Sequence, residues 1–260
     1  MELSGVLQIL LFMGLLVLCT KPLGSYMARV FAGERTLLTP VFGPVERGLY
    51  RLFGVDEKED MRWTTYAFAL MMFSVVGMLL TYILLRLQGA LPFNPQHFGV
   101  QQMTPDLAFN TSGSFTTNTN WQNYVPETTL SYFANMVALA PHNWMSAAAG
   151  IAVAIALVRG FAKRINTGGE ANTVQRNAGI GNFWADVTRA TLYVLLPICL
   201  VYSLLLVQQG VPQNFDSYTK AVTLEGQTQI IPQGPVASQE SIKMLGTNGG
   251  GFFNANSAHP

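Results

Sequence analysis

The segment Gly246-Thr247-Asn248-Gly249-Gly250-Gly251-Phe252-Phe253 sits in a chain otherwise dominated by apolar runs. It has an echo in Phe115-Thr116-Thr117-Asn118-Thr119-Asn120-Trp121-Gln122. Both strings contain a Thr-Asn step, both follow a short amphipathic stretch, and both run into aromatic residues. Glycine adopts backbone angles that other residues avoid, and asparagine enters the left-handed region more readily than most. Two such loops in an apolar chain point to main-chain carbonyls turned to one side, a chemistry suited to a dehydrated cation.

Composition sets the class around those loops. Half the residues are apolar and 11% are charged, against about 25% charged in soluble domains. The net charge of +1 gives no argument for nucleic acid or an acidic substrate. Cys19 and Cys199 lie in separate apolar runs, which argues against a disulfide or a CxxC site. His97, His142 and His259 are far apart, and no metal-ligand spacing occurs. Gly246 to Gly251 lacks the Lys-Ser/Thr of a phosphate-binding loop.

Four apolar runs are long enough to cross a bilayer, which takes about 20 residues in a helix. They cover roughly 5–20, 66–85, 132–158 and 190–207; the third is interrupted by Pro141-His142-Asn143 and the fourth holds Pro197. The first run carries Glu2 before it and no small-residue cleavage site after it, so it reads as a retained span. Lys21, Arg29, Arg35, Arg47, Arg51, Lys58 and Arg62 fall between the first two runs. Arg159, Lys163, Arg164 and Arg176 fall between the third and fourth, whereas 88–128 holds no Lys or Arg. The positive-inside rule therefore predicts cytoplasmic basic loops, with the N-terminus and both Thr-Asn loops outside.

Each of those loops has the same approach. Thr104-Pro105-Asp106 reads as a helix start with Thr104 as N-cap, and 107–115 is too short to span. Gly234-Pro235 likewise precedes a short helical stretch over 236–245. Span, half-helix, loop, span is the predicted plan. A half-helix aiming its C-terminus at the loop adds partial negative charge that favours a cation. Neither loop contains an acidic residue, which argues against a carboxylate ring.

Other polar residues have simpler readings. His142 is expected as a satisfied polar group at a kink, and Arg86 as a snorkelling residue. Asp186 with Arg189, and Glu240 with Lys243, are spaced for local pairing, with a role in shaping the pore entrance as the other reading of Glu240 and Lys243. Asn110-Thr111-Ser112 matches a glycosylation sequon but falls within the first half-helix, which makes it a false positive.

The strings Asn118-Thr119-Asn120-Trp121-Gln122 and Gly246 through Ser257 resemble the first two filter loops of the KdpA family. These are the potassium-binding subunits of bacterial Kdp potassium-transporting ATPases. Lys21-Pro22-Leu23-Gly24-Ser25, Glu127 to Phe133, Ser146 to Val153 and Gly234 to Glu240 carry the same resemblance, which runs in order over all 260 residues. It implies an all-α polytopic membrane protein with potassium-channel-like span–pore-loop–span repeats, preceded by one extra transmembrane helix. Residues 1–63 would hold that helix and a cytoplasmic loop, and 64–160 the first repeat with its filter region at 104–122. A second cytoplasmic loop would cover 161–182, and 183–260 would open the second repeat, with pore helix and filter at 236–253. The resemblance makes this about the first half of a four-repeat subunit, with an incomplete second repeat, so the chain alone does not enclose an ion.

Function follows as an expectation. The resemblance implies high-affinity, ATP-driven K+ uptake at the bacterial inner membrane, with K+ as the transported ion and no prosthetic group. It assigns filter roles to Thr117, Asn118, Thr119 and Asn120, and to Thr247, Asn248, Gly249, Gly250 and Gly251. Gln122 matches a family position linked to potassium affinity, with bracing behind the filter as its other reading. The chain has no DKTG-like phosphorylation motif and no nucleotide loop, so ATP and Mg2+ belong to a partner. The implied partners are KdpB (the catalytic P-type ATPase of the Kdp complex), KdpC, the small Kdp membrane protein and the lipid bilayer, with no nucleic acid. The alternative is a stand-alone potassium channel or ion-driven potassium transporter of the same superfamily.

Overall fold

Each long apolar run folds as a helix, because a main chain in lipid must satisfy its own hydrogen bonds. The computed structural model describes residues 3–166 and 179–255, without the side chains of 164–166. The Arg164 side chain, Arg176, Asn256 and Ser257 therefore lie outside the described residues, as does most of the loop expected over 161–182. The chain divides into two compact units, Met1–Val55 and Asp56–Pro260.

The first unit holds α1 (Leu3–Phe31) and α2 (Thr39–Phe53). α1 continues through Lys21-Pro22 rather than ending there. Its residues Leu7 to Leu18 are apolar on every side and exposed, the pattern of a helix that faces lipid. α2 was not expected from the sequence. It starts at Pro40, where the missing N–H costs nothing, and ends at Gly54 in the left-handed conformation, whose amide bonds Tyr50 O.

The second unit begins with α3 (Trp63–Leu87), followed by α4 (Pro105–Thr116) and the single turn α5 (Pro126–Thr129). Next come α6 (Ala140–Asn166), α7 (Phe183–Arg189) and α8 (Leu196–Gln208). An antiparallel hairpin of β1 (Thr219–Val222) and β2 (Thr228–Ile231) precedes α9 (Val236–Gly246). The hairpin is a small β element in a helical chain that the sequence reading took as plain loop. With α1, the segments Trp63–Ala90, Ala134–Lys163 and Phe183–Gln208 are long and apolar enough to cross a membrane, which makes four among the described residues.

Two of these spans share a device. A π-helical turn at Ala134–Leu139 leads into α6, and another at Ala190–Leu195 leads into α8. Each ends just before a proline, Pro141 or Pro197. A proline inside a helix lacks a donor and pushes against the carbonyl four residues back; the wider π turn absorbs that mismatch. The expected interruption at Pro141-His142-Asn143 is thus a local widening, and the helix continues. His142, buried in α6, lies 2.8 Å from Thr81 Oγ1 of α3, so it is a satisfied polar group as expected.

The half-helices are held from both sides. α4 packs against α3 and α6, and α9 against α8 and α6. Leu85, Met103, Ala108, Phe115, Leu130 and Leu139 form the core around α4. Gln88, fully buried, ties the surrounding loop together: Nε2 donates to Thr129 O at 2.9 Å and Oε1 accepts from Ser131 N at 3.0 Å. Thr104 is the N-cap of α4 and Pro105 its first residue, as expected, although the Thr104 side chain makes no capping hydrogen bond. Arg86 does more than snorkel, since its guanidinium donates to the carbonyls of Val100 and Met103.

The pairing expected between Asp186 and Arg189 is not formed. Asp186, 1% exposed, takes a two-pronged bond from Arg159 of α6 at 2.6 and 3.0 Å, with the Tyr66 hydroxyl at 3.1 Å. Arg189 pairs instead with Glu57. A carboxylate out of water needs several donors, and Arg159 from α6 with Tyr66 from α3 supplies them together. Asp60, at the surface, binds Lys163 Nζ at 2.8 Å and the Gly181 amide at 2.7 Å. Its slight burial acts to raise its pKa, but those hydrogen bonds and the nearby cations prevail and hold it below the usual carboxylate range.

Two outcomes follow for the folded protein. Asp186→Ala strands the Arg159 charge and lowers stability by about 3 kcal/mol, whereas Asp186→Leu with Arg159→Met recovers much of that loss; detergent-solubilised thermal unfolding measures both. Because the Asp60 pKa is depressed on folding, its contribution is complete above the ordinary carboxylate value and is lost as pH falls through the lower folded one. Hydrogen exchange at Gly181 should accelerate over that acid window, and Asp60→Asn should remove the dependence.

Candidate functional site

Both half-helices end by handing their last carbonyls to the loop that follows. At the end of α4, Gly113 O accepts from Thr117 N at 3.1 Å, and Ser114 O accepts from Thr119 N at 3.1 Å and Asn120 N at 3.2 Å. The Thr117 hydroxyl adds contacts to Gly113 O at 3.0 Å and to Thr119 Oγ1 at 2.6 Å. At the end of α9, Thr247 and Asn248 donate their amides to Lys243 O.

Beyond the helix ends the backbones follow one rule. Asn118 (φ 62°) and Asn120 (φ 54°) are left-handed in the first loop, and Thr247 (φ 56°) and Gly249 (φ 100°) in the second. In an extended chain successive carbonyls alternate in direction. Inverting φ at every second residue offsets that alternation, which is the backbone condition for consecutive carbonyls to face one side. Thr247 is a β-branched residue in this region, where strain costs about 1–3 kcal/mol. Left-handed Asn118 and Asn120 are far easier to accommodate.

Side chains bind the two loops into one unit. Asn248 Nδ2 donates to Asn118 Oδ1, and Asn118 Nδ2 lies 3.4 Å from Gly246 O. The Ser146 hydroxyl, on α6, sits 2.8 Å from Asn118 Oδ1 and 3.3 Å from Asn248 Nδ2. Asn120 Nδ2 donates to Asn143 Oδ1 at 2.8 Å. Gln122 bridges to the second loop with both ends of its amide: Nε2 donates to Gly251 O at 2.7 Å and Oε1 accepts from Gly251 N at 3.3 Å. Bracing by Gln122 is thus present in the geometry.

The glycines answer to different demands. A Cβ on Gly250 would fall 2.5 Å from Asn120 O and 2.9 Å from Asn120 Cβ, so only glycine lets the loops approach. A Cβ on Gly246 would meet Asn143 O at 2.7 Å. Gly249 has room, and its positive φ is the constraint.

All ten residues expected at the site, Thr117 to Asn120, Gln122, Thr247, Asn248 and Gly249 to Gly251, therefore fall in two loops that touch. The sequence reading missed Asn143 and Ser146, which stand behind the loops on α6. Their only advance signal was the placement of polar residues within an apolar run. It also missed Glu127, both of whose carboxylate oxygens lie 3.1 Å from Asn254 N.

A cleft of about 610 Å³ opens beside the loops, lined by Thr116, Thr117, Asn118, Ser146, Gly246 and Thr247 together with apolar residues of α3 and α6. The C-terminal ends of α4 and α9 border it, and their partial negative charge favours a cation there. On the other side, Tyr132 donates to Asp216 O at 2.7 Å and accepts from Gln96 Nε2 at 3.1 Å. Burial raises the pKa of Tyr124, Tyr132 and Tyr218, so these hydroxyls stay neutral.

Comparison with known proteins identifies the family. Residues 10–260 match the family model KdpA, described as the potassium-transporting ATPase A subunit. The chain is 58% identical over 260 residues to a potassium-transporting ATPase potassium-binding subunit of Solibacter usitatus, all of this chain and 44% of that protein. The proteins of that name from Rhodospirillum centenum and Brucella anthropi are 58% and 56% identical, again over all of this chain and 43% and 44% of theirs. The chain thus spans less than half the length of these relatives. A family model that takes in both loops, both half-helices and nearly the whole sequence establishes that this chain belongs to the KdpA family.

Proposed function

We propose that this chain forms part of the potassium-binding subunit of an ATP-driven K+ uptake complex, and that its two loops supply part of the ion-selecting filter. The observation that carries the reading is the repeated inversion of φ at Asn118 and Asn120 and at Thr247 and Gly249. It turns main-chain carbonyls to one side in two loops that lie against each other. A K+ ion that has shed water needs several oxygens at once, and main-chain carbonyls provide them without a titratable charge.

The chain's residues have separable roles in that scheme. Carbonyls of 117–120 and 247–251 would coordinate the ion. Asn118, Asn248 and Ser146 would hold the two loops at a fixed spacing, and Gln122 would fix the outgoing backbone at Gly251. The C-termini of α4 and α9 would favour the cation as it leaves the loops for the cleft. By the distribution of Lys and Arg, the loops face the outside of a bacterial inner membrane. ATP hydrolysis on Mg2+ would fall to the catalytic P-type ATPase, KdpB, while KdpC and the small Kdp membrane protein would complete the assembly. The remaining filter loops would come from two further repeats. The relatives' names favour this reading over a stand-alone channel, since each is the potassium-binding part of an ATPase.

The test uses the full-length protein in its assembled complex. Gly250→Ala, which forces the loops apart, should raise the apparent KM for K+ by at least about tenfold in K+-stimulated ATP hydrolysis. Gly249→Asp should lower K+ affinity or admit smaller cations; unchanged affinity together with unchanged discrimination against Na+ and NH4+ would remove the second loop from the filter. Thr247→Gly should relieve strain and raise thermal stability by about 1 kcal/mol, while weakening K+ selection through the added freedom of the loop.

A further inference from the structure

α9 carries an ion pair that the coordination scheme does not use. Glu240 and Lys243 lie one turn apart, with side chains 6% and 4% exposed, and Lys243 Nζ is 3.0 Å from Glu240 Oε2. The other carboxylate oxygen, Oε1, lies 3.4 Å from the amide nitrogen of Phe252. Phe252 follows directly on Gly251, the last residue of the proposed filter string. A charged group on the supporting helix thus reaches the backbone at the exit of the loop.

This is an expensive arrangement if packing were its only purpose. A buried ion pair is often no more stabilising than apolar residues of the same shape. What a carboxylate adds is a directional acceptor, which binds an N–H more strongly than a neutral oxygen does. The loop needs such a restraint. Gly249, Gly250 and Gly251 have no side chains to lock their φ and ψ, so their carbonyl directions depend on how the flanking backbone is pinned. Gln122 pins Gly251 from the first loop. The Phe252 ring is buried with Tyr132, Val236 and Phe253, which fixes the side chain but not the peptide before it. That peptide is held at its carbonyl by Gln122 Nε2 on Gly251 O and addressed at its amide by Glu240 Oε1.

We propose that Glu240, oriented by Lys243, is a positioning residue for ion selection: together with Gln122 it fixes the Gly251–Phe252 peptide and thereby the direction of the Gly251 carbonyl. The role rests on the filter reading above and assigns to a side chain outside the loop a share of the discrimination between cations. Lys243 holds the carboxylate's second oxygen, and Oε1 faces the amide.

The full-length protein in its assembled complex, reconstituted in proteoliposomes, tests this with two matched double variants. Glu240→Gln with Lys243→Met removes both charges but keeps an acceptor for Phe252. Glu240→Leu with Lys243→Met removes the acceptor as well and leaves no unpaired charge. The first should keep the apparent KM for K+ within about threefold of the parent, and the second should raise it at least about tenfold while kcat changes less than about threefold. The second should also narrow the preference for K+ over NH4+. Glu240→Asp, which withdraws the acceptor by one methylene, should give an intermediate shift and serves if the leucine variant fails to assemble. Equal KM and equal ion preference in the two double variants, or a parental profile in Glu240→Asp, would overturn the proposal. A parent complex whose ATP hydrolysis did not respond to K+ would instead count against the filter reading on which the proposal rests.

Discussion

A polypeptide that leaves the helical conformation inside a bilayer must find protein partners for every N–H and C=O it releases. No water is available there, and each orphaned group costs several kcal/mol. The two Thr-Asn loops meet this constraint in a particular way. Donors are drawn inward, to Gly113 O, Ser114 O and Lys243 O at the helix ends and to Gln122 at Gly251. On the reading proposed above, carbonyls beyond the helix ends would serve as acceptors for the ion. The asymmetry between bonded donors and remaining acceptors would suit the loops to a cation rather than an anion.

The remainder of the second unit holds that asymmetry in place. α6 is the common support, since α4 and α9 both pack on it and Asn143 and Ser146 project from it to the loops. Its path depends on the π turn ahead of Pro141, and its far end is tied to α7 through Arg159 and Asp186. The same device before Pro197 shapes the span that carries α9. Buried polar groups in this unit act as fixed points between helices whose apolar faces alone would permit sliding.

Much of this was legible from the residues. The spans follow from the lengths of the apolar runs, and the half-helices from runs too short to cross. The family follows from the two loop strings. What could not be read was pairing at a distance. Asp186 has Arg189 at helical spacing, yet it pairs with Arg159, because local spacing measures proximity on one helix and not depth of burial. Gln88 looked like part of a polar exit from a span, yet it is fully buried and bonded to Thr129 and Ser131. α2 and the β hairpin were missed for a different reason: both lie in mixed polar segments where the periodic signal is weak.

By itself, then, the sequence determined which segments enter the membrane, where the backbone must become irregular, and that glycine and asparagine would occupy those points. Hydrophobic length and local conformational preference settle such matters residue by residue. Only the tertiary structure decided that the two loops meet, that left-handed residues alternate within each, and that Ser146 and Gln122 fasten one loop to the other. Contacts across more than a hundred residues depend on how helices pack, and no local propensity encodes them.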